Sequence, residues 1–92
     1  MVQTKSNIKE KQRIDTKEPS MYNVIIHNDD VTTMDFVVMI LMNIFFYSEV
    51  DATELMLQVH NSGKAIVGTY TYDIAHSKAS MVTGLARKNN FP

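Results

Sequence analysis

Between Met34 and Phe45 the chain carries almost nothing but apolar side chains, and this stretch constrains the fold more than any other. Phe36, Val37, Ile40, Leu41, Ile44 and Phe45 recur at the spacing of one helix face. Met34, Val38, Met39 and Met42 add a second stripe, so the helix is apolar nearly all round. Such a helix is buried on two sides, or it offers an apolar face to something else. The chain has 92 residues, of which 45% are apolar. That is one small domain, with nearly all of its apolar residues needed inside.

The flanking residues place further elements around this helix. Tyr22 to His27 is short and β-branched, and reads as a strand ending at the turn-forming Asn28-Asp29-Asp30. Thr32 is expected to cap the apolar helix, with Asp35 as its capping-box partner. Asp51-Ala52-Thr53-Glu54 reads as the start of a second helix, stapled by Val50 and Leu55. Ala52, Leu55, Met56 and Val59 share one face of it, and Gly63 suits its C-terminal cap. Ala65 to Tyr70 reads as a second strand in which Gly68 permits a bulge or a close approach. A third helix from about Thr71 has Ile74, Met81, Val82 and Leu85 on one face, with Arg87 and Lys88 near its end. The order β-α-α-β-α predicts a small α+β domain.

Composition breaks near Pro19. Before it, five basic residues oppose three acidic ones, a net charge of +2, and large apolar side chains are few. Residues 1–19 are therefore expected to form a flexible extension, and residues 20–92 the folded core, whose net charge is −3. A total of −1 argues against a dedicated nucleic-acid binder. The chain has no cysteine, which removes disulfides and thiolate chemistry. It has neither an apolar run of the ~18–20 residues that a membrane span needs nor a signal-peptide pattern. The expectation is a soluble, cytoplasmic domain.

Few residues sit where chemistry could occur. They are Asn28-Asp29-Asp30 at a strand-to-helix turn, His60 near the end of the second helix, and Met34 and Met56 on neighbouring apolar faces. Each also has an ordinary structural reading: a turn, an exposed helix end, two core methionines. The only glycines are Gly63, Gly68 and Gly84, so there is no glycine-rich phosphate loop. No nucleophile elbow or H-E-x-x-H motif is present. A metal could use His27, Asp29, Asp30 and His60, but their spacing matches no closed zinc pattern.

The order of these motifs says more than any one of them. Tyr22-x-Val24 is followed by Asn28-Asp29-Asp30-x-Thr32-x-Met34-x-Phe36-Val37, by Ala52-Thr53-x-x-Met56-x-x-Val59-His60, and by Gly63-Lys64-Ala65. Tyr72-Asp73-Ile74-Ala75-x-x-Lys78 and Ala86-Arg87 extend the series. Over residues 19–92 this linked set resembles the ClpS family, the N-degron adaptors of Clp AAA+ proteases.

The resemblance implies three helices packed on a three-stranded antiparallel sheet, a monomer, and neither catalysis, cofactor nor metal. Family members hold proteins whose first residue is Leu, Phe, Tyr or Trp and hand them to an unfoldase. Carried over by position, Asn28, Asp30 and His60 would bind the α-amino group, with Asp29 beside them facing the peptide backbone. Ile26, Thr32, Met34, Val37, Met56 and Val59 would line the apolar pocket, Met34 being the gate against β-branched residues. Asp73 and Lys78 match positions that meet the N-terminal domain of a ClpA-type unfoldase, and the extension before Pro19 matches the delivery arm. The residue chemistry fits independently. An α-ammonium has up to three donors, for which Asn28 offers a carbonyl, Asp30 a carboxylate and neutral His60 one acceptor nitrogen.

The chain departs from the family pattern in three places. Thr33 stands where proline is frequent, and His27 where the pocket wall is usually apolar. The family's final edge strand, whose leucine helps close the pocket, would follow Pro92. Two other functions compete with this reading: a modulator that binds the unfoldase without recognising degrons, and a small metal-dependent hydrolase.

Overall fold

The computed structural model of the protein describes residues 2–6 and 19–92. In chain order the described elements are β1 (Val2–Ser6), β2 (Met21–His27), α1 (Met34–Asn43), α2 (Glu49–Ser62), β3 (Lys64–Thr71) and α3 (Tyr72–Lys88). The strands form one antiparallel sheet in the order β1-β2-β3. Val24, Ile25 and Ile26 are consecutive and all buried, Val24 and Ile26 within the main core, as suits a strand flanked by a neighbour on each edge. The three helices join this sheet in a small α+β domain.

The apolar helix lies where its composition requires. Phe36, Val37, Ile40 and Leu41 are buried, and Ile26, Ile40, Leu41, Val24, Val67 and Val82 are the largest fully buried side chains. Val38 and Met39 pack against this core as partly buried residues. Gly68 is the site of the close approach expected from sequence, since a Cβ there would collide with the Tyr70 ring. The bulge is one residue away. Val24 pairs with Gly68 but Ile25 pairs with Ile66, so Val67 is the extra residue. The Tyr47 hydroxyl donates to the Val67 carbonyl at 2.7 Å, satisfying a group that the bulge takes out of the ladder.

Several boundaries differ from the sequence reading. Thr33, not Thr32, caps α1, its hydroxyl accepting from the Phe36 N–H at 3.2 Å. Thr32 is withdrawn from that role because its hydroxyl is bonded to Asp29. Helix α2 starts three residues early, at a Ser48 cap that accepts from the Asp51 N–H, and Val50 is too exposed to staple anything. The buried face of α3 is Ala75, Val82 and Ala86, whereas Ile74 and Met81 are half exposed. Small residues let α3 lie close to the sheet and turn its larger ones outward.

The largest difference is at the N-terminus. The sequence reading makes residues 1–19 a flexible extension, yet Val2–Ser6 pair in register with β2, from Val2 opposite Ile26 to Ser6 opposite Tyr22. Val2 packs on the core as a partly buried residue, and an antiparallel backbone ladder holds the strand at the sheet edge. It supplies a third strand at the sheet edge. The rest of the proposed extension, residues 7–18, lies outside the described residues.

Candidate functional site

Two loops meet where β2 runs into α1 and α2 runs into β3. Gly63 ends α2 in the left-handed conformation at φ 94°, its N–H bonded to the Val59 carbonyl at 2.9 Å. That turn aims the Gly63 carbonyl at the Asn28 N–H, which it accepts at 2.8 Å. This bond ties the Asn28-Asp29-Asp30 loop to the end of α2, one turn after His60. Residues 32 positions apart in sequence thus form one wall.

Asp29 organises the loop from within. Its Oδ1 accepts the N–H groups of Val31 at 2.8 Å and Thr32 at 2.6 Å, and its Oδ2 accepts the Thr32 hydroxyl at 2.7 Å. Burial works to raise the Asp29 pKa, but the hydrogen bonds from the Thr32 hydroxyl and the two backbone N–H groups outweigh it and hold the carboxyl below its usual value. With two oxygens and about four lone-pair sites, this carboxylate keeps one acceptor site, on Oδ2, for an outside donor. Asn28 and Asp30 are exposed on either side of it.

These groups border an open cleft of ≈ 370 Å³. Asn28, Asp29, Asp30 and His60 supply its polar groups, and Thr32, Met34 and Met56 complete the lining together with Val31 and Thr33. A volume near the low end of the ~300–1,000 Å³ range of small-ligand sites suits a single side chain with a polar head. The cleft also receives the C-terminal end of α2, where partial negative charge favours a cation. Its chemistry combines acceptors and carboxylates with two flexible thioethers.

Seven of the ten residues expected at the amine site and pocket therefore converge. The other three, Ile26, Val37 and Val59, belong to the buried core and are not walls of the cleft, because they occupy inward positions of β2, α1 and α2. Val31 and Thr33 were missed, and only their place between Asp29 and Met34 could have signalled them. His27 ends β2 opposite Lys64 and is not among the walls. Among the described residues no three His, Asp or Glu side chains are grouped to hold a metal ion, so His27, Asp29, Asp30 and His60 do not form that centre. No helix among them is long and apolar enough to cross a membrane.

Asp73 and Lys78 lie elsewhere, on α3. Asp73 is exposed in the first turn, where an acidic residue suits the helix dipole. The half-buried Lys78 reaches the other end of α1, its ammonium donating to the Ile44 carbonyl at 2.6 Å. Helix α1 has no basic residue in its own last turn, so α3 supplies the cation that caps it.

A strand-loop-helix cleft of acceptors and methionines on a small α+β scaffold has the chemistry of a binding module, with no catalytic constellation among its lining residues. The family described as "ATP-dependent Clp protease adaptor protein ClpS" matches residues 17–92. A ClpS adapter of Acetivibrio thermocellus is 51% identical over 88 residues, covering 96% of this chain and 89% of that one. One from Desulfotalea psychrophila is 54% identical over 79 residues, covering 86% and 78%. Among solved structures, Agrobacterium tumefaciens ClpS2 bound to L-phenylalaninamide superposes with a TM-score of 0.79 at 36% identity, over 82% of this chain and 90% of that one. The chain belongs to the ClpS family: it is an adaptor of the Clp protease and not an enzyme.

Proposed function

We propose that the protein captures polypeptides beginning with Leu, Phe, Tyr or Trp and delivers them to the Clp unfoldase. The observation that carries this reading is the convergence of Asn28, Asp29, Asp30 and His60 with Met34 and Met56 around one cleft. In the proposed complex the α-ammonium sits among the Asn28 carbonyl, the Asp30 carboxylate, the His60 imidazole and the remaining site on Asp29. The first side chain enters between Met34 and Met56, whose movement opens the cleft towards Val37, Val59 and Ile26. L-Phenylalaninamide, the molecule bound to the Agrobacterium relative, has a free α-amine beside an apolar ring, the combination this cleft suits.

One buried apolar side chain is worth roughly 2–3 kcal/mol, and each hydrogen bond to a charged group about 1.5–3 kcal/mol. After the costs of association these support about micromolar binding or somewhat tighter. The unfoldase partner is proposed to be of the ClpA type, engaged through its N-terminal domain by the surface that holds Asp73 and Lys78, with the protein a cytoplasmic monomer. Residues 1–19 act in transfer. A titration of labelled peptides that differ only in the first residue tests the reading: Leu, Phe, Tyr and Trp should bind, and Ser or Glu should not.

A further inference from the structure

Among the described residues no large apolar side chain is more exposed than Phe46, at 79%. It lies two residues after the Ile44 cap of α1 and sits at φ 61°, a left-handed conformation that is strained for a residue other than glycine. The neighbouring backbone holds it there: the Tyr47 N–H is bonded to the Leu41 carbonyl at 3.1 Å, and the Tyr47 hydroxyl is tied to β3. The ring is therefore presented outward by a fixed turn. It does not dangle from a loose one.

Beneath the ring lies Lys78. Its ammonium is 4.8 Å from the Phe46 centroid, 5.3 Å from that of Tyr70 and 5.6 Å from that of Phe45, while also bonded to Ile44. Held by three rings and a carbonyl, this cation has little freedom to reach outward for an ion pair, and it fixes the Phe46 ring. Ile74 and Met81, one turn to either side of Lys78 on α3, are each 49% exposed. The surface is a rigid aromatic with half-exposed aliphatic flanks and a cation under it.

We infer that Phe46 is the apolar anchor by which this adaptor docks on its Clp unfoldase, with Lys78 acting as the platform that holds the ring. The inference rests on the adaptor reading above and adds the residue that carries docking. Three features favour the unfoldase as occupant. An adaptor must hold its substrate and its unfoldase at once, and Phe46 lies beyond the opposite end of α1 from Met34, a helix of about 15 Å. Lys78, beneath the ring, is one of the two residues assigned above to the unfoldase surface, so the patch is continuous with that surface. The patch, a single anchor with partial flanks, suits an interface that must release better than a permanent dimer.

The test compares the unchanged chain with Phe46→Ser, which keeps the fold because the ring is exposed and makes no part of the core. Binding to a purified ClpA-type unfoldase and to a Phe-initiated peptide is measured for both. The expected result is at least about tenfold weaker unfoldase binding with unchanged peptide affinity, the scale of an interface anchor. Equal unfoldase binding by the two chains overturns the inference and leaves the adaptor reading intact. If the unchanged chain binds peptide but no unfoldase, both the docking reading and the inference fall. A change of oligomeric state in Phe46→Ser, with unfoldase binding unaltered, makes the patch a contact between copies and also overturns it.

Discussion

The Thr32 hydroxyl donates to the Asp29 carboxylate at 2.7 Å, so a residue expected to cap α1 instead fixes the loop that precedes it. Thr32→Val keeps the shape of the side chain but removes that donor. It should cost about 0.5–1.5 kcal/mol of stability, the net worth of one hydrogen bond. Peptide affinity should fall with it, because the Asn28 and Asp30 groups lose their common mount. Denaturant unfolding together with a peptide titration checks both effects.

Asp29 also sets a pH dependence. Its folded-state pKa lies below its ordinary value of 3.8, so its contribution is fully present above that value and is lost as pH falls through the folded-state pKa. Asp29→Asn should therefore be less stable than the unchanged chain at pH 7. The gap should close only in acid, below pH 3.8. Melting curves of both chains from pH 7 down to the acid limit test this; a gap already closed at pH 5 would contradict it.

For the amine site, Asp30→Ala and His60→Ala should each weaken binding of a Leu-initiated peptide by about 1.5–3 kcal/mol. Both residues are exposed, so neither change should lower the melting temperature appreciably. Calorimetric titration with unfolding controls separates loss of recognition from loss of fold.

Met34 lines the cleft and is 44% exposed there. An unbranched thioether bends around Leu or Phe but crowds a branch at Cβ. Met34→Ala should bind Ile- or Val-initiated peptides while keeping Leu. If selectivity in a competition titration is unchanged, the gate lies on another wall.

How legible was all this in the chain? The apolar stripes of α1, the β-branched run of β2 and the Gly63 cap were readable because each is a local pattern whose period or conformational demand is its own explanation. Helix starts were not, since Ser48 competes with Asp51 and Thr33 with Thr32, and which hydroxyl caps depends on what else the neighbour can bond. The buried face of α3 was read in part: Val82 and Leu85 pack on the core as expected, but closeness to the sheet favoured Ala75 and Ala86 over the larger Ile74 and Met81. At the cleft, the polar set followed from the order of motifs. The depth of Ile26, Val37 and Val59 did not, because an inward position on a strand or helix does not reveal whether a cavity reaches it. β1 left no apolar signal, being held by backbone pairing.

That strand changes what truncation should do. On the sequence reading, loss of residues 1–17 leaves folding untouched. With Val2–Ser6 paired to β2, the same deletion bares an edge beside Val24 and Ile26. The truncated chain should melt several degrees lower, a loss of ~1 kcal/mol corresponding to about 4–8 °C in a domain of this size. It should also self-associate in size-exclusion chromatography, and it should fail to support degradation of a Phe-initiated substrate.

The central claim is that the free α-amine and the first side chain are read together in one cleft. Its most direct measurement is a fluorescence-anisotropy titration of one Phe-initiated peptide, with its amine free and with it acetylated. Acetylation removes the cation and two donors while leaving the ring in place. The account predicts saturable binding of the free peptide at about micromolar concentration or below and no measurable binding of the acetylated one; equal binding of the two would contradict it.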